Sequence, residues 1–182
     1  IVPRINALLF SNARARVDTA LFDSYSSNDL RRTIYFRTLS TGQLFKGSYD
    51  ASSTLFGGIA TDEVYLMRAE CYARQGKLAE AMSDLNTLLI KRWKNTEPYT
   101  PVESTSQEEA LNIILTERRK ELVFRGLRWM DLRRLNKEGR NITLTRVVDG
   151  NTYTLVPNSL HYTFLIPPNV ISFHSEMPQN PR

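Results

Sequence analysis

The sequence predicts a mainly α-helical protein: a helical, repeat-like superhelix with a small β-hairpin appendage. Between residues 61 and 138, apolar side chains recur every three or four positions, which is the period of amphipathic helices. After residue 140 the pattern changes to short strand-like segments around Asp149-Gly150, a dipeptide typical of a two-residue hairpin turn. A chain of 182 residues is long enough to bury a core without disulfides, and its length alone predicts one domain.

The first sixty residues are weakly periodic and predict only short elements. These are a helix over 17–25, a helical turn over 30–32, and strands over 33–39 and 43–49. Asn28 or Asp29 would cap the turn, because short polar side chains accept hydrogen bonds from the free N–H groups of a helix start. The strands follow from β-forming residues on either side of Thr41-Gly42, which predicts a turn. Gly57-Gly58 ends this region.

Four helices are predicted in the middle of the chain, over residues 61–74, 77–93, 106–124 and 127–137. Thr61 or Asp62 would cap the first helix, and Ser106 with Glu109 three residues later would form a capping box for the third. Glycines that follow the first, third and fourth helices, namely Gly76, Gly126 and Gly139, would stop them.

The last part of the chain predicts a hairpin with strands over 141–148 and 152–156. Pro167-Pro168 would end the apolar run before it, because proline lacks an N–H donor and fixes its own backbone angle. The tail, residues 169–182, is predicted to be a loop. The domain organisation therefore has four segments, over 1–60, 61–94, 105–138 and 139–182.

One segment accounts for the net positive charge of the chain. The net charge is +5, and residues 117–140 hold nine basic and four acidic groups, which accounts for all of it. Because acidic and apolar residues are interleaved there, the pattern favours an ion-paired helix pair over a nucleic-acid-binding surface. No apolar run is long enough for a membrane span. The single cysteine, Cys71, cannot form a disulfide within the chain.

The first two middle helices show the spacing of a tetratricopeptide repeat. Small and apolar residues stand at its characteristic positions: Ala69, Tyr72, Gly76, Ala81, Leu85 and Leu88. The two alanines would allow the helices to approach closely, and Gly76 would form the turn. Arg68 departs from the pattern, which prefers an apolar residue there. One such repeat cannot bury its own apolar face, so it requires neighbouring helices.

Longer motifs resemble the SusD/RagB family. They lie in residues 62–72, 84–92, 117–134, 165–171 and 177–181, in the family's order. The longest reads Glu117-Arg118-Arg119-Lys120-Glu121-Leu122-Val123-Phe124-Arg125-Gly126-Leu127-Arg128-Trp129-Met130-Asp131-Leu132-Arg133-Arg134. It departs from the family at Arg125, where glutamate is usual, and at Met130, where an aromatic residue is usual.

The resemblance implies a tetratricopeptide-like SusD fold and a non-catalytic, surface-exposed lipoprotein of the bacterial outer membrane. Such proteins capture nutrient glycans, or sometimes peptides, and pass them to a TonB-dependent transporter of the SusC type. The chain would be the C-terminal part of a longer member, whose N-terminal lipid anchor is absent from this sequence. Cys71 cannot be that anchor, because it lies within a predicted helix.

The carboxylates of the longest motif predict structure rather than catalysis. Glu117 and Glu121 are four residues apart, so they share a helix face, and the arginines beside them favour their ionised form. A structural ion-pair network between the two helices is predicted, completed by Arg118, Arg125, Arg128 and Asp131. The only histidines, His161 and His174, lack the companions of a zinc site. No catalytic motif, phosphate loop or cofactor site is predicted.

Aromatic residues in predicted loops are the candidates for contact with a sugar, because sugar C–H surfaces pack on ring faces. They are Tyr25, Tyr49, Phe56 and Tyr99, with Tyr162 as a further candidate and Arg32, Asp50 and Asn95 as polar helpers. Trp129 is predicted to lie in the core. Three alternatives stay open: capture of peptides, a pure interaction scaffold that docks the transporter, and a hydrolase. The ligand itself is not predicted, and most recognition loops of the family lie upstream of these motifs.

Overall fold

The computed structural model describes residues 4–5, 16–47, 55–174 and 176–182. The predicted mainly α-helical class is confirmed: these residues hold seven α-helices and three two-stranded antiparallel sheets. The chain divides into two compact units, Ile1–Gly126 and Leu127–Arg182. The border lies inside the segment 105–138, which the sequence predicts as one helix pair.

The first unit contains five helices and four short strands. The helices are α1 (Thr19–Asp23), α2 (Leu30–Ile34), α3 (Thr61–Arg74), α4 (Leu78–Leu89) and α5 (Gln107–Glu121). The strands are β1 (Arg4–Ile5), β2 (Phe36–Leu39), β3 (Gly42–Phe45) and β4 (Leu55–Phe56). β1 pairs with β4 and β2 pairs with β3, both antiparallel. A 3-10 turn, Ile90–Arg92, extends α4.

Helix α2 replaces the beginning of a predicted strand. Thr33 and Ile34 have strong β propensity, yet both are helical, and β2 starts only at Phe36. The Asp29 carboxylate accepts a hydrogen bond of 3.0 Å from the Arg31 N–H, which nucleates the helix. The strand prediction over 33–39 is therefore wrong for its first three residues, because capping outweighs local β propensity.

Helices α3 and α4 form the predicted helix hairpin. Ala69 and Ala81 are fully buried, as the repeat spacing predicts for small residues at a close helix contact. Gly76 makes the turn with φ of +76°, a conformation that side-chain-bearing residues rarely adopt. Arg68, the exception to the repeat pattern, reaches across to Asp84 on α4 with two hydrogen bonds of 2.6 Å. An ion pair at the helix surface thus takes the place of an apolar contact.

Helix α5 starts as predicted and ends early. The Ser106 hydroxyl accepts a 3.2 Å hydrogen bond from the Glu109 N–H, which confirms Ser106 as the N-cap. The helix stops at Glu121 rather than at Phe124, which adopts a φ of +58°. The ring of Phe124 stacks on Phe45 with centroids 4.3 Å apart. A tertiary contact that no local pattern reveals therefore accompanies the end of this helix.

The N-terminal part of the first unit has its own aromatic core. Phe36 lies at its centre and makes edge-on ring contacts with Phe22, Tyr25 and Phe45, at centroid distances of 5.6, 5.3 and 6.2 Å. Such pairs contribute about 0.5–1.5 kcal/mol each beyond their buried area. Val123 and Phe124 pack against this cluster. The core therefore connects α1, β2 and β3 to the residues that follow α5.

The second unit contains the remaining elements. They are α6 (Arg128–Lys137), β5 (Leu144–Val148), β6 (Asn151–Leu155), a 3-10 turn (Leu160–Tyr162) and α7 (Pro168–Phe173). Asp149 and Gly150 join β5 to β6 with φ of +50° and +77°, the signs that the predicted hairpin turn requires. The prediction of a loop over 169–182 is wrong for residues 169–173, because α7 begins at Pro168, whose fixed φ suits a first helical position.

Candidate functional site

Arg31 lies at the centre of a buried ion-pair network in the first unit. Its guanidinium group contacts Asp29, Glu117 and Glu121, with shortest N···O distances of 2.7, 2.7 and 2.9 Å. Glu121 also accepts two hydrogen bonds from Arg92, and Glu117 accepts one of 2.6 Å from Lys120. The network therefore joins α2, the 3-10 turn after α4, and the last turn of α5.

Each carboxylate of this network is paired with at least one cation. Burial opposes the charge on Arg31, but the hydrogen bonds from its guanidinium to Asp29 and the attraction of Glu117 and Glu121 outweigh it, so the pKa of Arg31 lies well above its usual value. The Glu121 side chain is fully shielded from water and bonded by two arginines. The Glu121 carboxylate is therefore engaged on both oxygens by guanidinium groups.

Arg31 and Arg92 are the members of this network that the sequence analysis did not associate with Glu117 and Glu121. The expected partners were arginines of the same motif and the following helix. Arg31 follows the helix cap Asp29 by two residues, so the cap carboxylate that starts α2 also binds its guanidinium. That local signal was available, but the approach of Glu117 and Glu121 depends on packing between elements far apart in the chain.

Arg118 and Arg125 instead contact acidic side chains in the first turn of α3. Arg125 lies 3.3 Å from Glu63 and 3.6 Å from Asp62, and it donates a 2.6 Å hydrogen bond to the Gly58 carbonyl. Arg118 lies 3.6 Å from Glu63. Arg125, which departs from the family pattern, thus acts within the first unit as a cation facing two buried carboxylates.

Arg128 and Asp131 belong to the second unit. Asp131 is buried and accepts a 3.0 Å hydrogen bond from Arg134, one turn along α6. The five motif residues predicted as a structural signature are therefore divided: Glu117, Arg118 and Glu121 lie in one unit, and Arg128 and Asp131 in the other.

Two of the four predicted sugar-contact residues, Tyr25 and Phe56, have aromatic rings that other residues cover. Tyr25 is 1% exposed, and its hydroxyl donates a 2.7 Å hydrogen bond to the Lys120 carbonyl. Burial raises the pKa of Tyr25 well above its usual value. Tyr25 therefore lies in the aromatic core rather than in the predicted loop, together with Val17, Leu21 and Phe36. Phe56 is half-buried beneath Arg125, whose guanidinium carbon lies 4.7 Å from the ring centroid.

The remaining predicted residues are placed as follows. Tyr49 and Asp50 lie outside the described residues. Tyr162 is buried, at 5% exposure, and Asn95 is exposed. Arg32 donates a 2.8 Å hydrogen bond to the Tyr25 carbonyl and covers the ring of Phe22, so it supports the core.

Tyr99 lies on a surface loop with a second aromatic ring. It packs edge-on against Trp93, with ring centroids 5.8 Å apart, and both rings are half-exposed. Asn86 on α4 fixes this loop: its side-chain oxygen accepts hydrogen bonds from the Tyr99 hydroxyl and the Val102 N–H, and its amide group donates to the Val102 carbonyl. The Trp93 indole N–H donates to the Pro98 carbonyl at 3.1 Å. The two rings are thus held in place by the backbone around them.

A second aromatic surface lies in the second unit. Phe164 is 70% exposed and stacks on Trp129 at a centroid distance of 5.4 Å. The Gln179 amide group makes two hydrogen bonds with the backbone of Ile166, and Asn180 donates one of 2.8 Å to the Phe164 carbonyl. The Gln179-Asn180 pair thus holds the segment that carries Phe164. Trp129, predicted to be in the core, is half-buried under this exposed ring.

Within residues 4–5, 16–47, 55–174 and 176–182, no group of three or more His, Cys, Asp or Glu side chains is arranged to hold a metal ion. The described helices include none with the length and apolar character required to cross a membrane. His161, one of the two histidines, contacts the Ser159 hydroxyl at 3.1 Å.

Comparison with known proteins identifies one family. Residues 61–182, two thirds of the chain, match the model of the SusD family. No curated protein matches the chain significantly.

Several solved structures share its fold. One, described as a putative sugar binding protein from Bacteroides vulgatus ATCC 8482, has a TM-score of 0.62 at 22% identity and covers 89% of this chain. A SusD-like carbohydrate binding protein from the same organism has a TM-score of 0.58 at 20% identity, with 89% covered. A SusD superfamily protein from Bacteroides fragilis NCTC 9343 has a TM-score of 0.60 at 17% identity, with 90% covered. The chain spans only 37%, 41% and 40% of these relatives, respectively.

Proposed function

The chain belongs to the SusD family, and on that premise we propose that this protein binds nutrient glycans without converting them chemically. The family match over residues 61–182 is the observation that carries the proposal. Two relatives of the same fold that are described as carbohydrate or sugar binding proteins support it. The buried ion-pair network supports it further, because it pairs Glu117 and Glu121 of the long motif with cations inside the first unit and leaves recognition to loops.

We further propose that the loop with Trp93 and Tyr99 is one contact surface for the glycan. Two half-exposed rings at 69° to each other offer a ring face and a ring edge on the same loop. Aromatic faces bind the C–H surfaces of sugar rings, while neighbouring polar groups bind their hydroxyls. Because hydrogen bonds with Asn86 already order this loop, little ordering entropy would be lost on binding. Tyr49, which lies outside the residues that the structure describes, remains a proposed glycan contact.

The partner and location are proposed from the family alone. A SusC-like TonB-dependent transporter would receive the glycan, and an N-terminal lipid anchor outside this sequence would hold the protein at the outer-membrane surface. The protein would then act by presentation: a helical scaffold keeps the recognition loops over the mouth of the transporter. Capture of peptides instead of glycans, and docking of the transporter without any ligand site, are the alternatives.

A panel of neutral and acidic oligosaccharides, titrated by calorimetry against the native protein, tests the proposal. Trp93→Ala should weaken binding by about five- to tenfold, because one aromatic contact is worth about 1 kcal/mol. Ile59→Ala is the matched control, since Ile59 is 81% exposed and lies on a different loop. Binding to none of the oligosaccharides, together with retained binding of a SusC-like transporter, would instead support the docking alternative.

Two further measurements complete this experiment: titration with peptides, and long incubation of the protein with oligosaccharides. Binding of peptides without binding of oligosaccharides would favour peptide capture. Release of shorter oligosaccharides during long incubation would contradict a non-catalytic role.

A further inference from the structure

The second unit contains a cleft of about 500 Å³. One wall is helix α6, and the other is the segment 158–163, which includes the 3-10 turn. The walls meet at the buried residues Asn136 and Tyr162. Tyr162, named above as a further sugar-contact candidate, lines this cleft, whereas Tyr25, Phe56 and Tyr99 do not.

The wall formed by α6 presents three cations. Met130, Arg133, Arg134 and Lys137 stand at positions i, i+3, i+4 and i+7, the spacing that places side chains on one face of a helix. No acidic residue is among those that line the cleft. Arg134 is partly neutralised by Asp131. Within the part of the chain that the structure describes, no carboxylate pairs with Arg133 or Lys137, and both side chains are exposed.

Hydrogen bonds and ring packing fix the two walls at their junction. The side chain of Asn136 is 2% exposed and makes hydrogen bonds of 2.6 and 3.0 Å with the backbone of Ile142. The Asn136 carbonyl accepts a 3.3 Å hydrogen bond from Asn158, which adopts a φ of +57° to close the turn. Tyr162 packs on Trp129 with centroids 4.9 Å apart. The shape of the cleft is therefore built into the fold rather than created by side chains that move.

We infer that this cleft binds the carboxylate or sulfate group of an acidic saccharide. Arg133 offers a planar fork of donors that matches a carboxylate or sulfate, and Lys137 adds a point charge one turn away. The exposed apolar atoms of Met130 and Leu160 flank these cations, which suits the C–H surface of a sugar ring. The identification of the ligand as a saccharide rests on the proposed function, whereas its negative charge rests on the cleft itself.

Charge-neutralising variants test this inference in the native protein. Arg133→Gln combined with Lys137→Gln removes two positive charges from the cleft, and Arg37→Gln combined with Arg146→Gln removes two exposed charges from other surfaces. The probes are oligosaccharides of polygalacturonate and of chondroitin sulfate, with neutral maltooligosaccharides for comparison. Thermal melts before titration establish that both double variants fold.

The expected result is at least a tenfold loss of affinity for both acidic probes in the Arg133/Lys137 variant, and a less than twofold change in the Arg37/Arg146 variant. Affinity of the native protein for the acidic probes should fall as salt is raised from 50 to 500 mM, because ions screen the exposed charges of the cleft. Maltooligosaccharide affinity should stay the same in both variants.

Three outcomes would overturn the inference. Equal losses in the two double variants would mean that net charge, not the cleft, attracts the probes. Binding of neutral oligosaccharides without any binding of acidic ones would reject the cleft as an anion site and leave the proposed function standing. Charge-dependent binding of vesicles containing an anionic phospholipid, without binding of acidic saccharides, would assign the cleft to a membrane surface. Failure of every oligosaccharide to bind would reject the proposed function itself.

Discussion

Arg31 and Glu121 are 90 positions apart in the chain, and their side chains form an ion pair of 2.9 Å that is 2% and 0% exposed to water. Taking two charges out of water is costly, so such a pair persists only where every donor and acceptor is bonded. Here Asp29 and Glu117 satisfy the rest of the Arg31 guanidinium, and Arg92 satisfies the rest of Glu121. The first unit therefore depends on the complete set rather than on one pair.

Glu121→Gln should destabilise the protein by about 3–5 kcal/mol, because it leaves buried positive charge uncompensated. Urea unfolding followed by circular dichroism measures this loss. Glu108→Gln is the matched control on the same helix, where the side chain is exposed and the expected change is below about 0.5 kcal/mol. Similar midpoints for the two variants would contradict the structural role of Glu121.

Stability should fall in alkaline solution because of Tyr25. Burial raises its pKa above the value of 10.0 in the unfolded chain, so above pH 10 the unfolded chain loses this proton and the folded chain keeps it. Stability from the neutral hydroxyl is therefore fully present below pH 10 and declines by up to about 1.4 kcal/mol per pH unit above it. Urea midpoints measured from pH 8 to 11.5 follow this decline.

The Tyr25→Phe variant isolates the contribution of that hydroxyl. It should be less stable than the native protein at pH 8, by about 1–2 kcal/mol, because the Lys120 carbonyl loses its buried hydrogen bond. Its stability should then decline less steeply above pH 10. Tyr153→Phe, at a tyrosine that is 60% exposed, serves as the control and should leave the native slope unchanged. If the stability of Tyr25→Phe declined above pH 10 as steeply as that of the native protein, Tyr25 would not be the cause of the decline.

Asn86→Ala should loosen the loop that carries Trp93 and Tyr99. The variant removes the side-chain hydrogen bonds to the backbone N–H and carbonyl of Val102 and to the Tyr99 hydroxyl. Hydrogen exchange should accelerate at residues 99–102 by about tenfold or more, since each lost bond contributes about 1 kcal/mol. Ser83→Ala, on an exposed position of the same helix, should leave exchange in this loop unaltered.

Gln179→Ala should release the segment that carries Phe164. Two hydrogen bonds to the Ile166 backbone are lost, so the stacking of Phe164 on Trp129 should weaken. In a Trp93→Phe background, Trp129 is the only tryptophan, and its fluorescence emission should shift to longer wavelength as water reaches the indole. Glu176→Ala, on the same tail, provides the control. An unchanged spectrum for Gln179→Ala would show that the stacking of Phe164 on Trp129 does not depend on the Gln179 hydrogen bonds.

The local sequence pattern predicts the hairpin of α3 and α4, but it does not predict the partners in the ion-pair network around Arg31. The bounds of α3 match the prediction, and Gly76 follows its end. The predicted cap is wrong: Thr61 and Asp62 lie inside the helix, and the N-cap is Ala60, which has no side chain that could accept a hydrogen bond. The partners of Glu117 and Glu121 were missed because Arg31 is 86 and 90 positions away, and no short pattern encodes that distance. The sequence predicts a helix over 17–25, but α1 ends at Asp23, and Tyr25 beyond it is held in the aromatic core by packing that no local pattern encodes.

The sequence separation of the Arg31 contacts also bears on the synthesis of the chain. When Arg31 leaves the ribosome, Asp29 is beside it, but Glu117 is 86 residues from being made. At about 5–20 residues per second, that interval lasts roughly 4–17 s. During this time the aromatic side chains of α1, β2 and β3 lack the support that Val123 and Phe124 later give them. The segment that carries α1, β2 and β3 is therefore expected to reach its full stability only after α5 has been made and the ion pairs close.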